Sequence, residues 1–235
     1  MKKTEAKPKP KKILFDVGHG ESLDITSEDW RDFKEFLKEN NYEIWQLSQS
    51  PINIDMLKDY DIFFVGGPKN TKFEEDEIVE IVKYLREGGA IVLANSSGGD
   101  QHNNTNLNSI ATHLGYQFNG DFLAHETDFE NDDFYACVAK GVSMDPLTMG
   151  IRSIYVGYAC TIKVVDESGA KSLVFSHEPW PESRHLAVNG FMGLGRHFGA
   201  CTDLFKYVRR HDNAFLLQSI LFWLGEMRSS NDDGW

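Results

Sequence analysis

The chain has 235 residues, 41% of them hydrophobic, 12% aromatic and 26% charged, a globular balance that excludes disordered and collagen-like chains. Its formal net charge is −12, and because residues 1–12 hold six Lys against one Glu, the remainder is more acidic still, with 18 basic residues against 35 acidic. Such a body repels phosphate backbones, so nucleic acid is not an expected partner.

Residues 1–12 read as a disordered basic tail, since two prolines and almost no apolar residues give nothing to pack. Only Ile13-Leu14-Phe15 follow before Asp16, too short an apolar run for a signal peptide. From 13 to 95 short apolar runs alternate with amphipathic stretches, the pattern of parallel strands joined by crossover helices. Strands are expected at 13–17, 42–47, 61–65 and 90–94. The helix after the first begins with Thr26-Ser27-Glu28-Asp29 as a capping box and carries Trp30, Phe33, Phe36 and Leu37. The helix before the fourth strand is capped by Thr71 with Glu74 three later; Ile78, Ile81, Val82 and Leu85 form its apolar stripe and Gly88-Gly89 ends it. A shorter helix covers 107–114.

Residues 119–150, rich in Asp, Asn and Gly, read as a long loop. Strands at 155–165, 173–176, 186–191 and 197–201 would extend the sheet with antiparallel members, the last two forming a hairpin through Gly193 and Gly195. A helix over 213–227 closes the core, and 228–235 form a second disordered tail. The longest apolar run, 214–224, is interrupted by Gln218 and falls short of the roughly 18 residues of a membrane span. Three isolated cysteines, Cys137, Cys160 and Cys201, suggest neither a disulfide framework nor a thiolate zinc site, which fits a cytoplasmic location. No Pro/Gly linker divides the chain, so residues 13–227 are expected to be one α/β domain with a doubly wound, mainly parallel sheet and an antiparallel extension.

In an open α/β sheet, ligands bind beyond the carboxyl ends of the strands. That rule selects three turns: Asp16-Val17-Gly18-His19-Gly20-Glu21, Gly66-Gly67-Pro68, and Asn95-Ser96-Ser97-Gly98-Gly99-Asp100 with His102 beyond. Asp16 and His19 suit a divalent ion with Asp100 or His102 as third ligand; the competing reading has Asp16 capping turn amides and His19 as an ordinary histidine, and no metal is expected. Ser96 could be a nucleophile with His19, His102, His113 or His211 as base, yet no G-x-S-x-G pattern occurs, and turn-forming hydroxyls are the alternative. Neither nucleotide-binding glycine motif is present, so no cofactor is expected. Arg196 and His197 read as a hairpin surface pair, with anion contact as the alternative. Cys201 reads as a small buried hydrophobe, and 121–135 as a solvated loop, lid or partner surface.

Several segments together resemble the GIFT domain: ILFDVGHGE at 13–21, YDIFFVGGP at 60–68, the run 73–94, NTNLNSI at 104–110, GACTDLF at 199–205 and NAFLLQSILFWL at 213–224. This family comprises the N-terminal domain of an intraflagellar transport B-complex core subunit, auxiliary proteins of gliding-motility ABC transporters and stand-alone prokaryotic proteins. The resemblance spans about 12–226. It implies a flavodoxin-like fold similar to class I glutamine amidotransferases, without their catalytic machinery. Where those enzymes carry a nucleophilic cysteine, this chain has Ser96. The expectation is a stand-alone prokaryotic homologue acting as a non-catalytic binding module. Its ligand would be a small molecule such as a sugar, or a protein partner, held by Asp16, His19, Gly66, Gly67, Asn95, Ser96, Ser97 and Asp203. A homo-oligomer is compatible with this reading, and the rival is a hydrolase or amidase built on Ser96 or on a metal at Asp16 and His19.

Overall fold

The computed structural model describes residues 8–123, 129–130, 133–176 and 184–229. In chain order these form β1 (Lys11–Asp16), α1 (Arg31–Glu39), β2 (Tyr42–Leu47), α2 (Ile54–Leu57), β3 (Ile62–Gly66), α3 (Glu75–Arg86), β4 (Ala90–Asn95), α4 (Gly99–Asn103), α5 (Asn108–Ala111) and β5 (Tyr116–Phe118). There follow β6 (Phe129–Glu130), β7 (Asp133–Ala139), β8 (Gly141–Val142), β9 (Ile154–Gly157), β10 (Ile162–Val164), β11 (Ala170–Ser176), β12 (Arg184–Met192), β13 (Gly195–Cys201), α6 (Thr202–Lys206) and α7 (Asn213–Ser229).

Five neighbours, β2-β1-β3-β4-β13, run parallel. This is the flavodoxin-like strand order, with β13 in the last place and the order reversing between β1 and β3. Beyond β13 the sheet continues with antiparallel members: β12 pairs with β13, β10 and β11, β10 with β5, and β11 with β8. The sheet is therefore mixed, with a mostly parallel centre, as expected from the alternation of runs and helices.

Side-chain alternation along the central strands builds two cores. Phe15, Phe64, Val92 and Ala94 face the layer that contains α1, α6 and α7, while Leu14, Phe63, Val65 and Leu93 face α3 and α5. Every residue of β3 is buried, which explains why its sequence is apolar without alternation. Phe15 stacks on Phe64 at 4.8 Å, and Phe205 meets Phe64 edge-on at 4.9 Å, joining α6 to the sheet centre.

Several boundaries differ from the sequence reading. Strand β1 begins at Lys11, pairing Lys11 with Tyr42 and Lys12 with Glu43, so the last two residues of the expected basic tail belong to the sheet; residues 1–7 and 230–235 lie outside the described residues. The capping box of α3 is Glu74 with Glu77, not Thr71 with Glu74. The stretch 119–150 is not simply a loop. It contributes β7, which pairs with β6 and β9 in a separate three-stranded sheet. The expected strand 155–165 is two: β9 joins that small sheet and β10 the large one, the chain bending at Gly157, where φ is +54°. A buried clasp holds this region. Asn213, at the start of α7, accepts from Tyr155 N through Oδ1, and its Nδ2 donates to the carbonyls of Tyr155, Leu204 and Tyr207.

Candidate functional site

The carboxyl ends of β1, β3, β4 and β13 emerge at one edge of the sheet, because all four strands are parallel. The loop after β1 crosses the end of β3, with Ser22 N donating to Gly67 O at 2.8 Å and Leu23 N to Gly66 O at 2.8 Å. This brings a hydroxyl cluster together: Ser96 Oγ lies 3.1 Å from Ser22 Oγ and 3.4 Å from Thr202 Oγ1. Gly67 forms its floor. With φ at +71°, a Cβ there would stand 2.5 Å from Ser22 Oγ and 2.9 Å from Thr202 Cγ2, so only glycine leaves room for the three side chains.

A second cluster fills the same β1 loop. Asp16 Oδ2 holds His19 Nδ1 at 2.8 Å, and Glu77 Oε2, from the first turn of α3, lies 3.4 Å from His19 Nε2. The imidazole stacks on Phe73 at 4.1 Å. Asp16, His19 and Glu77 are 1%, 2% and 0% exposed. Burial alone disfavours the imidazolium, but the flanking carboxylates outweigh it and raise the His19 pKa above its ordinary value. Burial would raise Glu77 too, yet hydrogen bonds from Glu74 N, Ile52 N and the Ser50 hydroxyl, with His19 beside it, bring it below the usual carboxylate range. Glu21 moves the other way: burial and the adjacent Asp16 carboxylate push it up to about 9. At neutral pH Glu21 is thus an uncharged acid. A cavity of ≈ 350 Å³ bordered by Val17, Glu21, Asp24 and Gln46 lies against this loop.

The ligand-capable atoms of Asp16, His19 and Glu21 lie within 4.8 Å of one another. The third member of any cation site here is therefore Glu21. Asp100 instead accepts from Asn95 Nδ2 and Asn108 N, and His102 packs edge-on against Phe122 at 5.2 Å.

Of the sequence-selected residues, Ser96 and Gly67 meet directly, and Gly66 offers its carbonyl to Ser22. Asp16 and His19 form the adjoining buried cluster. Asn95 supports the turn, its Oδ1 accepting from Ser96 N. Ser97 lends its carbonyl to Asn103. Asp203 points away from the hydroxyls and accepts from Tyr158 N at the bend after β9, its pKa raised by burial; its neighbour Thr202 takes the place in the cluster. No histidine bonds to Ser96 among the described residues; the partners of its hydroxyl are Ser22 and Thr202. The hairpin pair is also corrected: His197 is fully buried, with Nε2 2.9 Å from Gly169 O and its pKa lowered to about 4 by burial, while Arg196 lies over Trp223. Cys201 is a buried thiol, pushed up to about 12 by desolvation.

Glu21, Ser22, Glu77 and Thr202 were not singled out from sequence. Glu77 left a signal: it lies four residues before Ile81 and eight before Leu85, on the buried side of α3, where a carboxylate requires partners.

The sequence profile of the IFT52 GIFT domain matches residues 12–143. The chain belongs to this family. Its fold is similar to that of the mmIFT52 N-terminal domain, at 18% identity and a TM-score of 0.81, over 95% of this chain and 100% of that one. The GIFT fold also resembles the cytoplasmic protein STM1381 from Salmonella typhimurium LT2, at 13% identity and TM-score 0.59, over 92% of this chain and 100% of that one. A ThuA-like protein from Bacteroides uniformis matches at 12% identity and TM-score 0.56, over 96% of each chain. No curated protein matches the sequence. Among the described residues of this GIFT domain, no helix is long and apolar enough to cross a membrane.

Proposed function

We propose that residues 13–227 act as one non-catalytic binding module of the cytoplasm, in which the strand-end cleft engages a partner. Membership of the GIFT family supports a protein as that partner. The observation that carries the reading is the environment of Ser96. It stands where a nucleophile would stand, yet its hydroxyl is shared with Ser22 and Thr202, and among the described residues no imidazole lies within hydrogen-bond reach. The histidine nearest in sequence to the cleft, His19, is already held on both ring nitrogens by carboxylates. Among the described residues the serine hydrolase reading therefore has no base, and the metal-dependent one has no support beyond the spacing of Asp16, His19 and Glu21.

A small polyhydroxylated molecule such as a sugar is the second reading. It is favoured by the three convergent hydroxyls, which both donate and accept. Isothermal titration of the whole chain tests both, using purified candidate protein partners and a panel of monosaccharides. Saturable binding that Ser96→Ala or Thr202→Val weakens supports the cleft; esterase or amidase turnover lost in Ser96→Ala overturns the non-catalytic reading.

A further inference from the structure

Away from the strand-end cleft, a pocket of ≈ 270 Å³ lies where β11, β12, the turn at Pro146–Thr148 and α7 meet. Asn189 of β12 lines it. Two residues earlier, Ala187 packs in the layer that contains α7, and two residues later, Phe191 meets the Trp223 ring of α7 edge-on at 5.5 Å. The β12–β13 register is unbroken over this stretch, so strand alternation turns the Asn189 side chain to the same face, into the pocket. Asn189 is 7% exposed, and its Oδ1 is buried without a hydrogen-bond partner among the described residues.

A buried carboxamide oxygen without a donor costs more than a partnered one contributes, and native structures leave few of them. Pro146, Leu147, Phe191 and Trp223 form the apolar part of the lining, and Asp145, Ser168 and Lys171, the last opposite Asn189 in the β11–β12 ladder, form its polar part. Trp223 is held in place, because the Arg196 guanidinium covers its ring at 5.1 Å and also bonds the Trp223 carbonyl. Beside this pocket lies a second hollow of ≈ 500 Å³ that shares Asp145 and Pro146 and presents Met144 and Met149, both highly exposed. Unbranched methionines adapt to varied apolar surfaces and are over-used where proteins bind proteins.

One acceptor on the floor, an aromatic wall beside it and an adjoining apolar hollow match an extended peptide, which offers one main-chain N–H and side chains at regular spacing. We infer that this pocket binds an apolar segment of a partner protein. A main-chain N–H of the segment donates to Asn189 Oδ1, and the adjacent apolar side chain sits between Phe191, Trp223 and Pro146. A phosphate-bearing ligand is disfavoured by the net charge of −12. The inference is independent of the strand-end cleft.

Nuclear magnetic resonance of the ¹⁵N-labelled full chain tests it with one probe, acetyl-Leu-Ser-Leu-Ser-Leu-amide. Its analogue with the central amide replaced by an ester lacks the N–H donor. The side-chain amide peaks of Asn189 and the indole peak of Trp223 shift saturably with the peptide, and the ester binds about five- to tenfold more weakly, as expected for one hydrogen bond lost. Asn189→Leu abolishes the difference between the two probes. The amide–ester comparison on the unaltered chain stands even if that variant does not fold. Absence of saturable shifts, equal affinity of ester and amide, or stronger shifts of these peaks by galactose or adenosine at equal concentration overturns the inference.

Discussion

Glu77 on α3 and His19 after β1, 58 positions apart in sequence, lie 3.4 Å apart in the fold, with Asp16 on the other side of the imidazole. The pair fastens the β1 loop to the helix on one face of the sheet. Glu77 also accepts from Ser50 Oγ, Ile52 N and Glu74 N, so a single carboxylate fixes three connecting segments at the edge where the strands end.

Replacing Glu77 by Leu leaves those donors and His19 without their partner inside the protein. The expected cost is about 3–5 kcal/mol, that of breaking a buried ion pair by removing one member. Glu77→Gln retains an acceptor and is expected to cost about 1–3 kcal/mol. Urea unfolding at neutral pH measures both, and a loss below about 1 kcal/mol for Glu77→Leu contradicts this account.

Stability should depend on pH in a direction set by three groups. The His19 pKa is raised in the folded state, so its contribution is complete below about 6.5 and fades as pH rises through the folded value. Glu21, pushed up to about 9 from its ordinary 4.5, retains in the folded state a proton that the unfolded chain releases, and so also favours folding less as pH rises between those values. Glu77 is lowered, and its contribution is lost as pH falls through the folded value below 4.5. The expected optimum is mildly acidic. Glu21→Gln should flatten the decline on the alkaline side and make the variant relatively more stable at pH 8 than at pH 5. Thermal unfolding across that range reads the slope; an unchanged slope in the variant removes Glu21 from the explanation.

At Gly67 an alanine must adopt φ near +71° with its Cβ 2.5 Å from Ser22 Oγ. Strain and displacement together are expected to cost more than the roughly 1 kcal/mol typical of an unfavourable glycine replacement. The variant should also weaken any ligand that depends on the hydroxyl cluster. Chemical denaturation and the titration proposed for the cleft measure the two effects separately.

Ser96→Ala removes two hydrogen bonds between hydroxyls and should cost about 1–2 kcal/mol, a fall in melting temperature of about 2–8 °C for a chain of this length. Ser96→Cys places a thiol at the position that the resemblance to class I glutamine amidotransferases equates with their nucleophile, with no imidazole bonded to it among the described residues. Ammonia release from glutamine is expected to stay at background, and measurable glutaminase activity in that variant contradicts the geometry described for Ser96.

The first half of the fold was legible because its signals are local. The two-sided apolar run of β3 and the glycine stop after α3 report burial and termination within a few residues. The second half hides its topology. Tyr155 to Val165 is apolar enough to read as one strand, and the change of sheet between β9 and β10 depends on the bend at Gly157 and on Asp203, a contact distant in sequence. The turns of the site could be chosen from strand ends alone. Glu77 could not, since it lies in the first turn of a helix and reaches His19 only once that helix is packed; Thr202 does follow a strand end, but the carboxylate of Asp203 beside it is the more conspicuous candidate.

Asn213 carries a temporal consequence. Its carboxamide is fastened to the main chain at Tyr155, Leu204 and Tyr207, so the closing helix finds its seat only when β9 and α6 are already in position. During synthesis, earlier strands can assemble while this fastening is still inside the ribosome. This helix, emerging after β9 and α6, then acts as a latch on what came before, and damage at residue 213 should leave α7 undocked.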